Sequence, residues 1–142
     1  MRAQLEFIST DFPPYPGETE QINPGRYGIR LAEFLFQQLP AHGFPVRSMG
    51  VEDWGVRVEL DHPDYPLWIG CGNYEEEENG FLCFIEPATP FVRKWFRKIP
   101  NAPTVERLAI AVETILQSSG KVSNLRWWSA NELIRSGDHD GG

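Results

Sequence analysis

The most concentrated chemistry in this chain lies in one stretch, WIGCGNYEEEENGFLCFIEP, which runs from Trp68 to Pro87. Four consecutive glutamates, Glu75 to Glu78, separate two apolar runs, and each run carries one of the two cysteines of the chain. A cluster of carboxylates can hold a metal ion, attract a basic partner or form a solvated turn. The elements around the glutamates decide among these uses.

The spacing of the chemically active residues does not match a known catalytic or metal-binding pattern. The glutamate run lacks the alternating ligands and the turn glycine of a calcium loop. The cysteines have neither a second cysteine pair nor paired histidines, as a zinc site requires. No GxSxG or HExxH motif occurs. We therefore predict no metal, no cofactor and no catalytic residue, and we expect binding rather than catalysis.

The two apolar runs predict a β-hairpin whose connection carries the glutamates. A hairpin symmetric about Glu77 pairs Cys71 with Cys83 and Ile69 with Ile85, and it places these residues on one apolar face. The glutamates then occupy the exposed connection. We expect the cysteines to be reduced and buried, because disulfides are rare in the cytosol.

Strand and helix signals along the rest of the chain predict the order β-α-β-β-β-β-α-β. Strands that cluster in the middle of a chain favour an α+β fold over alternating α/β units. We predict a mostly antiparallel sheet of about five or six strands with two amphipathic helices on one face. We also predict one domain over residues 1–136 and a disordered tail over residues 137–142.

Two segments have helical periodicity. The first follows a long loop (residues 10–25) rich in proline and glycine; Asn23 is its predicted cap, Pro24 its first residue and Gly43 its left-handed terminator. Its predicted buried stripe is Tyr27, Leu31, Phe34, Leu35 and Leu39. The second helix is predicted over Thr104–Ser118, with Thr104 as the cap. Its predicted apolar face is Val105, Leu108, Ala109, Val112, Ile115 and Leu116.

Charge and hydropathy disfavour several classes of partner. The 142 residues include 13 Lys and Arg against 20 Asp and Glu, which gives a net charge of −7. This balance disfavours nucleic acid and anionic membranes as partners, because both attract basic surfaces. No apolar stretch is long enough to span a bilayer. Glu6 and Asp11 lie where a signal peptide needs an apolar core, so we expect a cytoplasmic protein of bacterial type.

Two short segments combine tryptophan with basic residues. Pro90–Lys98 contains RKWFRK and is predicted to be a short helix whose aromatic residues anchor to the core and whose cations pair with acids. LRWWS, near the end of the chain, is predicted to be a strand, so Trp127 and Trp128 face opposite sides of it. We expect both to be buried, although an exposed tryptophan is a common interface anchor.

A small, acidic α+β domain with many aromatic residues and an acidic hairpin connection resembles the profile of bacterial immunity proteins, which block toxins encoded beside them. The resemblance implies that the chain binds a protein with a basic surface, and that this partner is a toxin which the chain inhibits. The expected protein-binding residues are Tyr74, Glu75, Glu76, Glu77, Glu78, Trp127 and Trp128.

Two alternatives predict different surfaces. A small-ligand-binding protein or enzyme would have a concave pocket between loop 10–25 and the sheet, because arginines and amphipathic aromatics suit polar or anionic ligands. The residues expected to line that pocket are Tyr15, Arg26, Tyr27, Arg30 and Trp54. A structural subunit of a larger assembly would instead expose a large apolar area.

Overall fold

The computed structural model describes residues 2–21, 23–74 and 76–129. Within these ranges the chain forms eight β-strands: β1 (Arg2–Ile8), β2 (Val46–Glu52), β3 (Gly55–Leu60), β4 (Trp68–Asn73), β5 (Gly80–Glu86), β6 (Phe91–Lys94), β7 (Arg97–Pro100) and β8 (Ser123–Ser129). The α-helices are α1 (Glu18–Gln21), α2 (Ile29–Gln38) and α3 (Ala102–Ser119), and a 3-10 turn at Leu39–His42 follows α2 directly. The predicted tail, residues 137–142, and the end of the predicted domain, residues 130–136, lie outside the described ranges.

Six strands form one antiparallel sheet in the order β2-β3-β4-β5-β1-β8, and β6 and β7 form a separate two-stranded sheet. The α+β class, the antiparallel sheet and the two amphipathic helices are as the sequence predicts. Short connections join consecutive strands from β2 to β5, as expected for a meander.

The core lies between one face of the sheet and the helices α2 and α3. Side chains alternate along each strand, so every second residue points toward the helices. The buried strand residues include Leu5, Phe7, Val56, Val58, Ile69, Cys71, Phe81, Cys83 and Ile85, and they pack with Leu31 and Leu35 of α2 and Leu108, Val112 and Leu116 of α3. We call the opposite side the open face, because neither α2 nor α3 packs on it.

The register of the β4–β5 hairpin is the predicted one. Cys71 lies opposite Cys83 and Ile69 opposite Ile85. Both cysteines are free and buried. The neighbouring Cys83 thiol and burial raise the pKa of Cys71 well above its ordinary value of 9.0, which disfavours the reactive thiolate.

The first long helix begins later than predicted. Helix α2 starts at Ile29 rather than at Pro24, and Asn23 does not cap it. The side-chain nitrogen of Asn23 donates to the Asp53 carbonyl instead. The cap comes from the buried Glu18 carboxylate, which accepts hydrogen bonds from the Gly28 and Ile29 amides at 2.8 and 3.0 Å. A carboxylate at this end also complements the helix dipole.

The terminator after α2 and the start of α3 lie at or near the predicted residues. The 3-10 turn after α2 ends at Gly43, which has the predicted left-handed conformation with φ of 88°. Helix α3 starts two residues before the predicted Thr104, after Asn101. All six residues of its predicted apolar face are buried. These agreements follow from helical periodicity, which is strong over eighteen residues.

The predicted helix at Pro90–Lys98 is wrong. The segment forms the antiparallel hairpin β6–β7, in which Arg93 pairs with Lys98 and Lys94 with Arg97. The turn consists of Trp95 and Phe96, and Trp95 has a positive φ of 59°. Nothing in this turn resembles the glycine and asparagine pattern that identifies most two-residue hairpins.

Candidate binding surfaces

The acidic loop, residues 74–79, connects β4 to β5 and has a fixed base. The Tyr74 amide donates to the Gly80 carbonyl at 3.1 Å, and the Gly80 amide donates to the Glu77 carbonyl at 3.0 Å. The Ser9 amide donates to the Asn79 carbonyl at 3.0 Å, which ties the loop to the end of β1. Glu76, Glu77 and Glu78 are exposed, and Glu75 lies outside the described residues. The structure thus presents three carboxylates on a short, anchored connection.

Tyr74 lies at the base of the acidic loop, where its backbone amide bonds to Gly80. Its ring occupies the space beside Gly80, where an added β-carbon would lie 2.7 Å from the ring. Burial raises the pKa of Tyr74, and the carboxylates of Glu6, Glu77 and Glu76 raise it further. We define the acidic surface as Glu6, Tyr74, Glu76, Glu77 and Glu78.

Asn73 connects the base of the acidic loop to the proline-rich loop. Its side-chain oxygen accepts a hydrogen bond from the Tyr27 amide at 2.9 Å, and its side-chain nitrogen donates to the Gly25 carbonyl at 2.9 Å. The Arg26 guanidinium donates to the Asn73 carbonyl at 3.1 Å. These bonds give the acidic loop a base that two segments of the chain support.

The acidic surface is suited to attract cations in solution. None of its glutamates forms an ion pair with another described residue. Across the described ranges, no group of three or more His, Cys, Asp or Glu side chains is arranged to hold a metal ion. Unpaired, exposed carboxylates act on a charged partner at long range and raise its rate of association.

Trp127 and Trp128 lie on β8, apart from the acidic loop, and both are half-buried. Trp127 is paired with Leu5 and packs against the core, whereas Trp128 is paired with Gln4 on the open face. The Arg126 guanidinium lies 3.8 Å from the centre of the Trp128 ring. The predicted opposite orientations of the two tryptophans are observed.

The residues of the alternative pocket occupy three different places. Arg30 stacks on Tyr15 at 3.9 Å, and the Tyr15 hydroxyl donates to Glu33 at 2.6 Å. Tyr27 packs edge-on against Phe81 with ring centres 5.7 Å apart. Arg26 binds the Asn73 carbonyl, so these side chains are engaged with the fold itself.

Trp54, the fifth pocket residue, belongs to an aromatic cluster on the open face. Its ring centre lies 5.8 Å from that of Trp68 and 4.9 Å from that of Phe84. Arg57 lies over Trp68 at 4.4 Å and pairs with Glu59 at 3.0 Å. The cluster lies on the side of the sheet opposite the core that Tyr27 joins. The structure therefore does not bring Trp54 together with Tyr15 and Arg30.

The basic hairpin, Phe91–Pro100, is an exposed surface that the sequence does not predict. Trp95 is 87% exposed and Phe96 is 101% exposed. Arg93, Lys94, Arg97 and Lys98 are also exposed, and none forms an ion pair with another residue that the structure describes. The expectation that the aromatics anchor to the core and the cations pair with acids is wrong. The sequence signal for this surface is the pair of cations on each side of Trp95 and Phe96, but such a pattern fits a helix surface equally well.

The base of the basic hairpin is held rigidly. Val92 and Ile99 pair across the two strands and pack against the core. Asn101, which is fully buried, donates from its side chain to the carbonyls of Pro87 and Thr89 at 2.8 and 2.9 Å. Its backbone amide donates to the Pro90 carbonyl at 2.7 Å. The tip is thus exposed on a supported stem.

The two charged surfaces lie at opposite ends of β5. The acidic loop precedes Gly80, and the segment that leads into the basic hairpin follows Glu86. A seven-residue strand extends about 23 Å at 3.3 Å per residue. Four hairpin residues, Lys94, Trp95, Arg97 and Ile99, line an open cavity of about 310 Å³ together with Asp64, which belongs to the β3–β4 connection at the same end of the sheet.

Comparisons with known proteins supply no relative for this chain: no family model matches it, and no curated protein or solved structure is significantly similar to it. None of the helices in the described ranges has the length and apolar character that crossing a membrane requires.

Proposed function

We propose that this chain is a cytoplasmic protein that acts by binding another protein, and that the acidic surface attracts a basic partner. The observation that carries the proposal is the run of exposed glutamates Glu76 to Glu78, which follow Tyr74 on a connection with an anchored base and form no ion pair with another described residue. An amphipathic ring next to exposed carboxylates offers a basic partner both an apolar contact and a charge-assisted one. An immunity-like inhibitor of a toxin is the specific form of this activity that we favour.

The rigidity of the acidic loop supports a binding role. A flexible acidic segment loses conformational entropy when a partner orders it, and this loss weakens binding. The backbone bonds of Tyr74, Gly80 and Asn79 already fix this loop. The backbone at the base of the loop therefore needs little further ordering when a partner binds.

The small-ligand alternative has weaker support. Its residues are divided between the Tyr15–Arg30 stack, the loop near Asn73 and the open face. The structural-subunit alternative would use the exposed apolar side chains, which are Met49 and Val51 on the edge strand β2, Phe91, Trp95 and Phe96 on the basic hairpin, and Ile110 on α3. These residues belong to different elements, and they are fewer than an obligate interface needs.

The test is a quantitative pull-down from the native host with the double variant Glu76→Gln/Glu77→Gln. The matched control is Glu20→Gln/Asp53→Asn, which removes two exposed charges elsewhere. We expect a stoichiometric basic protein to bind the wild type and the control and to be lost from the acidic-surface variant. Its association rate should fall as salt concentration rises.

A toxin partner makes one further demand. Expression of the captured protein alone should impair growth, and co-expression with this chain should restore it. A partner that binds the two double variants equally, or the absence of any partner at low salt, contradicts a binding role for the acidic surface.

A further inference from the structure

The tip of the basic hairpin exposes two large aromatic side chains that the fold does not use. Trp95 is 87% exposed and Phe96 is 101% exposed. Trp95 also has φ of 59°, a conformation that bulky residues avoid and glycine adopts freely. Glycine would serve the turn better, so the tryptophan is costly in the folded state. Strained residues of this kind occur preferentially at functional sites.

Four cations surround this tip. Arg93 pairs with Lys98, and Lys94 pairs with Arg97. Successive residues of a strand point to opposite faces, so one pair lies on each face of the ribbon. The hairpin contains four of the 13 basic residues of the chain and none of the 20 acidic ones. The aromatic tip is therefore flanked by positive charge on both faces.

We propose that the basic hairpin docks the protein on the surface of an anionic lipid bilayer. Trp95 and Phe96 enter the interface between headgroups and acyl chains, where amphipathic aromatic rings are favoured. The four cations, one or two residues behind the tip, reach the level of the phosphate groups. Each basic residue near an anionic surface contributes attraction. Because Val92, Ile99 and Asn101 hold the stem, the tip enters as a rigid wedge.

A bilayer fits this arrangement better than nucleic acid or a protein cleft does. A plane of headgroups supplies anions on both faces of the ribbon at once and covers both aromatic rings without a shaped pocket. Single-stranded nucleic acid is bound along a path of aromatic platforms and cations, whereas these aromatics are adjacent at one apex. The inner leaflet of the cell membrane is anionic, in agreement with the proposed cytoplasmic location.

The net charge of −7 does not oppose this inference, because the structure separates the charges. The acidic loop lies at the far end of β5 from the basic hairpin. The length of β5, about 23 Å, exceeds the Debye length of about 8 Å at physiological salt. Repulsion between the acidic loop and the lipid is therefore screened while the hairpin touches the surface.

The experiment is co-sedimentation of the full chain with vesicles of phosphatidylcholine containing about 30% phosphatidylserine, compared with vesicles of phosphatidylcholine alone. We expect binding to the anionic vesicles that weakens with salt. Trp95→Gly should lower the partition coefficient about tenfold through lost apolar burial. Arg93→Ala and Lys98→Ala should each lower it about fivefold. Each variant should unfold at the same or a higher denaturant concentration than the wild type, since the changed side chains are exposed.

The controls separate this surface from the others. Ile110→Ser removes an exposed apolar side chain on α3, and Lys121→Ala removes an exposed cation before β8; neither should change vesicle binding. Glu76→Gln/Glu77→Gln should leave it intact, so failure here is distinct from failure of the protein-binding proposal. No binding to anionic vesicles, or binding that Trp95→Gly does not weaken, overturns the inference. Binding to DNA without binding to vesicles also overturns it and assigns the hairpin to nucleic acid.

Discussion

The ring of Phe84 lies over Gly70 on the neighbouring strand, in the space that a side chain at position 70 would occupy. A β-carbon added to Gly70 would lie 2.2 Å from the ring. Aromatic residues often cover glycines across a strand pair in this way. The absence of a side chain at position 70 thus permits Phe84 to join Trp54 and Trp68 in the aromatic cluster.

We expect Gly70→Ala to destabilise the fold by about 1–3 kcal/mol, because the methyl group must displace the Phe84 ring and the cluster with it. Urea unfolding measures the loss, and near-UV circular dichroism should show a changed tryptophan environment. The matched control is Gly50→Ala on β2, where an added β-carbon meets nothing within 4 Å. Equal effects of the two substitutions would contradict this account of the cluster.

We expect Glu18→Gln to destabilise the protein by about 1–3 kcal/mol. The side chain is 2% exposed, and its two oxygens accept bonds from the backbone amides of Tyr15, Gly28 and Ile29. An amide group replaces one acceptor oxygen with a donor, which then faces another donor.

Glu20→Gln, in the same short helix but exposed, provides the control for Glu18 and should be nearly neutral. Limited proteolysis should also cut the proline-rich loop faster in the Glu18 variant, since Glu18 ties this loop to α2. Unchanged stability and unchanged cleavage would show that the loop is held by other contacts, such as those of the buried Phe12.

The stability of the protein should fall as pH rises above about 9. The pKa of Cys71 is raised in the folded state, first by the hydrogen bond with Cys83 and then by burial. Over that range the unfolded chain loses a proton that the folded chain keeps, so deprotonation favours unfolding. The free energy of unfolding should decline by up to about 1.4 kcal/mol per pH unit from this group.

Cys71→Ala isolates the thiol contribution. Tyrosines with raised pKa values, such as Tyr27 and Tyr65, remain in the variant and still titrate. Urea unfolding from neutral pH to about pH 10, under reducing conditions, should give a steeper decline for the wild type than for the variant. Parallel curves would show that Cys71 does not titrate differently in the two states.

Asn101→Ala should destabilise the protein by about 2–4 kcal/mol, because it removes two buried side-chain bonds and leaves the Tyr65 hydroxyl without its acceptor. Denaturant unfolding checks the value. Thr89→Ala is the control, since the exposed Thr89 hydroxyl bonds only to the nearby Phe91 carbonyl. If Asn101 fixes the stem of the basic hairpin, its replacement should also weaken vesicle binding relative to the control.

The parts of the fold that the sequence predicts are those set by periodic burial. The β4–β5 pairing follows because a one-residue shift would place Cys83 and Ile85 on the face opposite to Ile69 and Cys71, and a connection symmetric about Glu77 selects the observed register. The apolar face of α3 follows from eighteen residues of regular spacing. In both cases several buried side chains favour the same arrangement, so one atypical residue does not change the predicted structure.

The errors occur where one distant residue or one unusual dihedral decides the structure. Asn23 and Pro24 carry a normal local start signal for a helix, but Glu18 supplies the cap through a fold of the loop that no spacing rule describes. In the turn of the basic hairpin Trp95 has a positive φ, and turn patterns predict glycine for a residue with this conformation. The residue type of Trp54 suits a ligand pocket, but its position is set by Trp68 and Phe84, which are distant from it in sequence.

The placement of the acidic loop and the basic hairpin at opposite ends of β5 gives the molecule a permanent electric dipole along that strand. A charged surface or partner exerts a torque on such a dipole before any atoms touch, and the molecule turns one particular end toward it. Approach to an anionic plane leads with the hairpin and leaves the acidic loop facing the solution. Approach to a cationic protein leads with the acidic loop. The positions of the two charged surfaces at the ends of β5 therefore determine which end of the molecule turns toward a charged partner.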